Sequence, residues 1–83
     1  MDLPGAGGLQ LAEMPVPTDL AGHALKDLDL RGRYSSSILL VRRGIPGEEK
    51  IVNQVPGADF VLEPDDTILV LGPGDQVKRL MGG

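Results

Sequence analysis

Residues 20–44, LAGHALKDLDLRGRYSSSILLVRRG, are the stretch of sequence that decides the fold. Apolar residues recur at helical spacing after Thr18 and Asp19, which are residues that favour a helix start, so a short amphipathic helix is predicted there. Its apolar face consists of Ala21, Ala24, Leu25 and Leu28. An Asp-Leu-Arg turn is predicted next, and it leads into a strand at residues 36–43. Both faces of this strand are apolar, which predicts a central place in a sheet or at an interface.

Further strands are predicted on both sides of this stretch. Residues 9–16 alternate like a half-buried strand, and Pro15 and Pro17 place it at an edge or end it, because proline donates no ladder hydrogen bond. Residues 48–55 are predicted to form a hairpin with residues 36–43. A further strand at residues 67–72 precedes a final helix, whose apolar positions are Val77, Leu80 and Met81.

The predicted fold class is therefore α+β, with a small, mainly antiparallel sheet and two short helices. The element order is strand, helix, strand, strand, strand, helix. Residues 1–8, MDLPGAGG, are predicted to be a flexible leader, and residues 9–83 one domain.

Composition restricts the class of protein. A chain of 83 residues with no cysteine builds a thin core, so association with a second copy is expected. Only Tyr34 and Phe60 are aromatic, and the net charge is −4. An acidic chain repels the phosphate backbone, so nucleic-acid binding is not expected. The N-terminus lacks the pattern of a signal peptide, and no apolar run approaches the ~20 residues that span a bilayer, so direct membrane insertion is not expected.

No catalytic or metal-binding motif is apparent. His23 is the only histidine, and the serines at 35–37 lack the glycines of a nucleophile elbow. The acidic residues at 63–66 sit in a predicted proline turn, where carboxylates serve the backbone. Residues 71–75, LGPGD, lack the Gly-Lys-Ser/Thr ending of a phosphate loop and suit a plain strand-to-helix turn. The sequence predicts neither an enzyme nor a metal site.

Four arginines close to the opening stretch admit two interpretations. Arg31, Arg33, Arg42 and Arg43 make up half of the eight basic residues. They form either a solvated rim or a surface that recognises an anion, because guanidinium groups pair bidentately with phosphate and carboxylate. In the second interpretation Asp29 holds Arg31 in place across the turn.

The chain resembles the TrkA C-terminal domain, also called the RCK C-terminal subdomain, over residues 9–81. The resemblance rests on L-x-G-x-x-L-x-x-L-D-L-R-x-x-Y at residues 20–34, on the strand ILLVRRG, and on V-L-E-x-x-D-x-I-L-V-L-G at residues 61–72. It implies an α+β fold and a homodimer. It also implies a cytoplasmic position at the inner face of the membrane, beside a potassium or other cation channel or transporter. That transporter is either part of the same chain or a separate partner.

Some members of the family bind cyclic di-AMP at the dimer interface, and the resemblance carries over a ligand motif. It implies Leu25, Asp29, Arg31, Ser37 and Ile38 as ligand-binding positions. Two positions depart from the family pattern, because Lys26 stands in place of an aliphatic residue and Ser37 in place of asparagine. No tightly held cofactor is implied; the expected ligand is a cyclic dinucleotide or another small anion.

The resemblance implies a regulatory domain whose ligand changes the dimer geometry and thereby gates transport. The alternative is a dimerisation module of a transporter or antiporter that takes no ligand. In that case the strand at residues 38–41 forms the interface.

Overall fold

The computed structural model describes residues 8–45 and 47–82, so the predicted leader lies outside the described residues apart from Gly8. Seven elements follow one another along the chain. They are β1 (Leu9–Pro15), α1 (Leu25–Leu28), α2 (Leu30–Tyr34), β2 (Ser37–Gly44), β3 (Ile51–Gln54), β4 (Thr67–Pro73) and α3 (Gly74–Leu80).

The four strands form one antiparallel sheet in the order β1-β4-β2-β3. The two strands with apolar residues on both faces, β2 and β4, are central, and the proline-bounded β1 lies at an edge, as predicted. The predicted hairpin is β2–β3, with Val41 opposite Gln54. The predicted fold class is confirmed. None of the helices within the described residues has the length and apolar character needed to cross a membrane.

The first helical segment differs from the prediction. Residues 18–22 form turns instead of a helix, and α1 begins only at Leu25. Gly22 has a φ of +85°, and Ala24 is extended and bridges to Val61, so the chain just before Leu25 is held in a strand-like path. A helix cannot start where the backbone is already paired in this way.

The predicted Asp-Leu-Arg turn is also wrong as a description of the backbone. Asp29 adopts the left-handed conformation with a φ of 47°, and it separates α1 from α2. Leu30 and Arg31 are already the first residues of α2. The described residues therefore contain three short helices instead of the predicted two, because one left-handed residue divides a helical segment.

The core lies between one face of the sheet and the helices. Val41 of β2 and Ile68 and Val70 of β4 are fully buried, and Leu62 from the segment before β4 joins them. α3 packs against β4 and β1, and α2 packs against α3. At that helix contact Tyr34 is buried, with the guanidinium carbons of Arg33 and Arg79 at 5.2 and 5.3 Å from its ring centroid.

Gly72 marks the closest approach within the core. A Cβ added to it would lie 2.8 Å from the Cβ of Ser36 and 3.1 Å from its Cα. Carbon atoms pack best at about 3.5–4.0 Å, so this position has no room for a side chain. Ser36 is itself buried, and its hydroxyl donates a 2.7 Å hydrogen bond to the carbonyl of Tyr34.

We predict that Gly72→Ala lowers the free energy of unfolding by about 1–3 kcal/mol, because the new methyl overpacks the contact with Ser36. Urea denaturation measures the change. Gly44→Ala is the matched control, since nothing lies within 4 Å of a Cβ built on that β2 residue. Equal stability of the two variants would contradict the packing at Gly72.

Candidate functional site

A cavity of about 400 Å³ lies where α1 and α2 meet the beginning of β2. Its remaining wall is the segment at residues 56–58, which follows β3. The residues that line it are Leu25, Lys26, Asp29, Leu30, Arg31, Ser36, Ser37, Ile38, Pro56, Gly57 and Ala58. The structure thus brings all five sequence-predicted site residues, Leu25, Asp29, Arg31, Ser37 and Ile38, into one cavity. That they bind a ligand stays a prediction.

The left-handed backbone at Asp29 sets the geometry of the helix side of the cavity. The Asp29 carboxylate lies over Gly32, where a Cβ would approach its Oδ1 to 2.7 Å. Arg31 extends from the first turn of α2, and its side chain forms no ion pair or hydrogen bond with another described residue. The predicted contact between Asp29 and Arg31 is therefore not formed. The Arg31 guanidinium is left available to an anion in the cavity.

The opposite walls of the cavity are joined by backbone hydrogen bonds. The amide of Leu25 donates to the carbonyl of Phe60 at 3.0 Å, and that of Lys26 donates to the carbonyl of Ala58 at 2.9 Å. The Nζ of Lys26 also lies 2.8 Å from Oδ1 of Asp59. Lys26 and residues 56–58 were not predicted as site residues. The segment 58–62 reaches the cavity through pairing with a distant part of the chain, for which the sequence carries no local signal.

An ion pair anchors the far end of that segment. The Nε and Nη2 of Arg43 donate to Oδ1 and Oδ2 of Asp66 at 2.8 and 2.7 Å. Nη2 also donates to the carbonyl of Val61 at 3.0 Å, Nη1 lies 3.5 Å from the carboxylate of Glu63, and the guanidinium stacks 4.9 Å from the centroid of Phe60. The Asp66 side chain is 1% exposed and that of Arg43 is 26% exposed.

Asp66 also closes the turn that was predicted at residues 63–66. Its amide donates to the carbonyl of Glu63 at 3.1 Å, and its Oδ2 accepts a 2.9 Å hydrogen bond from the amide of Glu63. The hydrogen bonds from Arg43 hold the pKa of Asp66 below its usual value and outweigh the opposing effect of burial. The same hydrogen bonds raise the pKa of Arg43. Both groups therefore stay charged at neutral pH.

The four arginines do not form one surface. Arg42 pairs with Glu13 at 3.0 Å and donates to the side-chain oxygen of Asn53 at 3.2 Å. Arg43 is occupied by Asp66, and Arg33 lies against Tyr34. Only Arg31 lines the cavity.

His23, the one histidine, is exposed, and it does not line the cavity. Among residues 8–45 and 47–82, no three His, Cys, Asp or Glu side chains come together in a way that could hold a metal ion. What the cavity offers is one free guanidinium, one ammonium at the mouth, a carboxylate, a hydroxyl from Ser37, and the apolar side chains of Leu25 and Ile38. These groups suit recognition of a small anion with an apolar part.

The chain matches a known protein family. The family model of the TrkA-C domain matches residues 10–82. The chain belongs to the TrkA-C domain family. The resemblance that the sequence indicated is thereby confirmed.

Two curated relatives of this TrkA-C domain come from Bacillus subtilis (strain 168). The chain is 35% identical over 69 residues to the Ktr system potassium uptake protein C. This alignment covers 83% of the chain and 29% of that protein. It is 32% identical over 60 residues to the K(+)/H(+) antiporter subunit KhtT. This alignment covers 72% of the chain and 34% of that protein. The chain thus spans about a third of the length of these relatives.

Solved structures share the fold of this TrkA-C domain. The RCK C domain of the potassium transport protein KtrA, in complex with cyclic di-AMP, superposes with a TM-score of 0.72 at 23% identity, over 89% of this chain and 81% of that one. The RCK_C domain dimer of S. agalactiae BusR, also in complex with cyclic di-AMP, gives a TM-score of 0.68 at 23% identity, over 92% and 90% of the two chains.

We predict that Arg43→Met lowers the free energy of unfolding by about 3 kcal/mol, because it leaves the carboxylate of Asp66 buried without its partner. This is the lower end of the range for a broken buried pair, since Arg43 stays partly exposed. Arg42→Met removes a neighbouring exposed pair and should cost less than about 1 kcal/mol. Urea denaturation of both variants tests the difference, and similar losses would contradict the anchoring role of Arg43.

We also predict that the fall in unfolding free energy at low pH depends on Asp66. The pKa of Asp66 is lower in the folded protein than in the unfolded chain. Ionised Asp66 therefore contributes fully to the free energy of unfolding above pH of about 4, and this contribution is lost as the pH falls through the pKa of the folded protein. Asp66→Asn should therefore flatten the fall in unfolding free energy below pH of about 4, as measured by urea titrations at several pH values. Asp75→Asn, an exposed residue of α3, serves as the control and should keep the wild-type slope. An unchanged slope in Asp66→Asn would refute the linkage.

Proposed function

We propose that this TrkA-C domain is a regulatory, ligand-binding and dimerising domain of a potassium or related cation transport system. Its parent or partner transporter, in cis or in trans, would hold it at the cytoplasmic face of the membrane. The observation that carries the proposal is that the five motif positions converge on one cavity, in which the Arg31 guanidinium has no partner among the described residues. Relatives named for potassium uptake and for potassium–proton antiport support it.

The chemistry of the cavity favours a phosphate-bearing ligand. The guanidinium of Arg31 offers a planar fork of donors that matches a phosphate, and Ser37 adds one hydroxyl. Leu25 and Ile38 supply apolar surface for the uncharged part of the ligand. A volume of about 400 Å³ lies within the range of small-molecule sites. Cyclic di-AMP is the first candidate, because the KtrA and BusR domains form complexes with it.

The proposed mechanism is a shift between dimer geometries. A ligand that contacts two copies of the cavity favours the geometry in which both sets of contacts form, and that geometry biases the transporter gate. The ligand can shift the gate only by the difference between its affinities for the two states. No chemical step is involved, so we propose no enzymatic activity for the domain.

A second candidate function is a dimerisation module without a ligand. It is favoured by the first half of β2. β3 pairs with β2 only from Val41 to Gly44, so within the described residues the segment 37–40 has a strand partner on one side only. Leu39, at a register shift in this segment, is 41% exposed. An exposed leucine beside an open strand edge suits pairing with a second copy.

We predict that Arg31→Ala weakens cyclic di-AMP binding by about 1.5–3 kcal/mol, the scale of a lost hydrogen bond to a charged group. Isothermal titration calorimetry measures the affinity. Arg33→Ala is the matched control, because Arg33 belongs to the same helix but lies against Tyr34 outside the cavity. Equal affinity of Arg31→Ala and the wild type would remove Arg31 from the site.

Light scattering on the same samples, at tens of micromolar, separates the two candidate functions. A dimer that binds cyclic di-AMP supports the regulatory domain. A dimer that shows no binding to a panel of nucleotides and small anions supports the ligand-free module, because a specific ligand must stabilise the state it binds. A monomer under all conditions contradicts both.

A further inference from the structure

The cavity is lined by two cationic side chains, and only one of them is free. Arg31 has no ionic partner among the described residues, whereas the Nζ of Lys26 lies 2.8 Å from Oδ1 of Asp59. Asp59 itself does not line the cavity. Lys26 is also the position at which this chain carries a charge where the family pattern has an aliphatic residue. Lys26 therefore adds a positive charge to the cavity that the family pattern does not require. The carboxylate of Asp59, which lies outside the cavity, neutralises that charge.

The backbone determines where these two side chains meet. The amide of Lys26 donates to the carbonyl of Ala58 at 2.9 Å, so Lys26 and the residue after Ala58 are held side by side. The Lys26 side chain is 57% exposed and that of Asp59 is 87% exposed. The ion pair therefore lies in water at the mouth of the cavity. Exposed pairs of this kind are weak, so an anion in the cavity can take the ammonium from Asp59 at little cost.

The charges of the site show what such an exchange does. Lys26 and Arg31 against Asp29 leave one net positive charge in the cavity, and Asp59 cancels it from outside. When Lys26 turns from Asp59 to the ligand, the cavity presents two cations to the bound anion. A phosphate group in the cavity then gains from both cations, and a ligand that bridges two copies of the cavity gains at each copy.

We propose that Lys26 is a second anion contact of this cavity and that Asp59 is its intramolecular competitor, which lowers the affinity of the cavity for phosphate-bearing ligands. The inference rests on the proposed ligand-binding function. Long methylene stems pack on apolar surface while the charged group stays in water, so the Lys26 stem takes the place of the aliphatic residue and its ammonium remains free to move.

A double-mutant cycle tests the competition. The four proteins are the wild type, Asp59→Asn, Lys26→Met and the double variant, each titrated with cyclic di-AMP in the calorimeter at low salt. Asp59→Asn should tighten binding by about twofold to fivefold, the range of a released exposed ion pair. Lys26→Met keeps the stem but loses the charge, and it should weaken binding by about fivefold. In the Lys26→Met background, Asp59→Asn should have no further effect, because no ammonium is left to release.

Two controls separate competition from simpler effects. Asp75→Asn removes one negative charge from α3, outside the cavity, and should leave the affinity unchanged. Inorganic pyrophosphate should follow the same pattern as cyclic di-AMP, because both cations face the phosphate group that lies in the cavity. Thermal unfolding should show nearly unchanged midpoints, since both substituted residues are exposed.

Each further outcome overturns a defined part of the proposal. Tightening by Asp59→Asn that persists in the Lys26→Met background means that Asp59 acts through its overall charge, and the competition is wrong. Unchanged affinity in Lys26→Met means that only the stem contributes, and the second contact is wrong. Absence of binding in all four proteins contradicts the proposed ligand-binding function, and the present inference falls with it.

Discussion

The ion pair between Arg43 and Asp66 is the interaction on which the rest of this structure depends. Asp66 is buried, and five hydrogen bonds join it to Arg43, Glu63 and Val16. Its two carboxylate oxygens hold the end of β2 through Arg43, and its amide and carboxylate close the turn from Glu63. Its carbonyl accepts the amide of Val16, just beyond β1, at 2.9 Å. A single residue thus joins the ends of three strands.

The same ion pair determines the shape of the candidate site. Arg43 reaches the carbonyl of Val61 and the ring of Phe60, which belong to the segment that pairs with the chain before and into α1. That pairing includes the hydrogen bonds from the amides of Leu25 and Lys26, which hold the cavity wall in place. In a domain with a thin core, apolar packing alone does not fix how the segments are arranged. A buried polar contact whose hydrogen bonds are all formed specifies one arrangement. The cavity is a consequence of how the segment 58–62 is held.

Much of this fold follows from local patterns. Alternating apolar residues and flanking prolines predict β1, β2 and β4, and Gly72 and Pro73 mark the change from β4 to α3. The five site positions followed from the family motif, and of these only Asp29 and Arg31 were also indicated by their own chemistry. The start of the first helix was predicted wrongly, because Ala24 pairs with Val61 across a long stretch of chain and is thereby held extended. Helical spacing of apolar residues carries no information about such a partner.

The sequence by itself determined the strands, the antiparallel hairpin and the family, because these depend on spacing between neighbours along the chain. Only the tertiary structure decided which cations are free. Arg42, Arg43 and Arg31 look equivalent in the sequence. Arg43 meets Asp66 across 23 positions and Arg42 meets Glu13 across 29, while Arg31 meets no carboxylate among the described residues. The availability of a charge depends on distances across the folded chain, and those distances exist only once the sheet has formed.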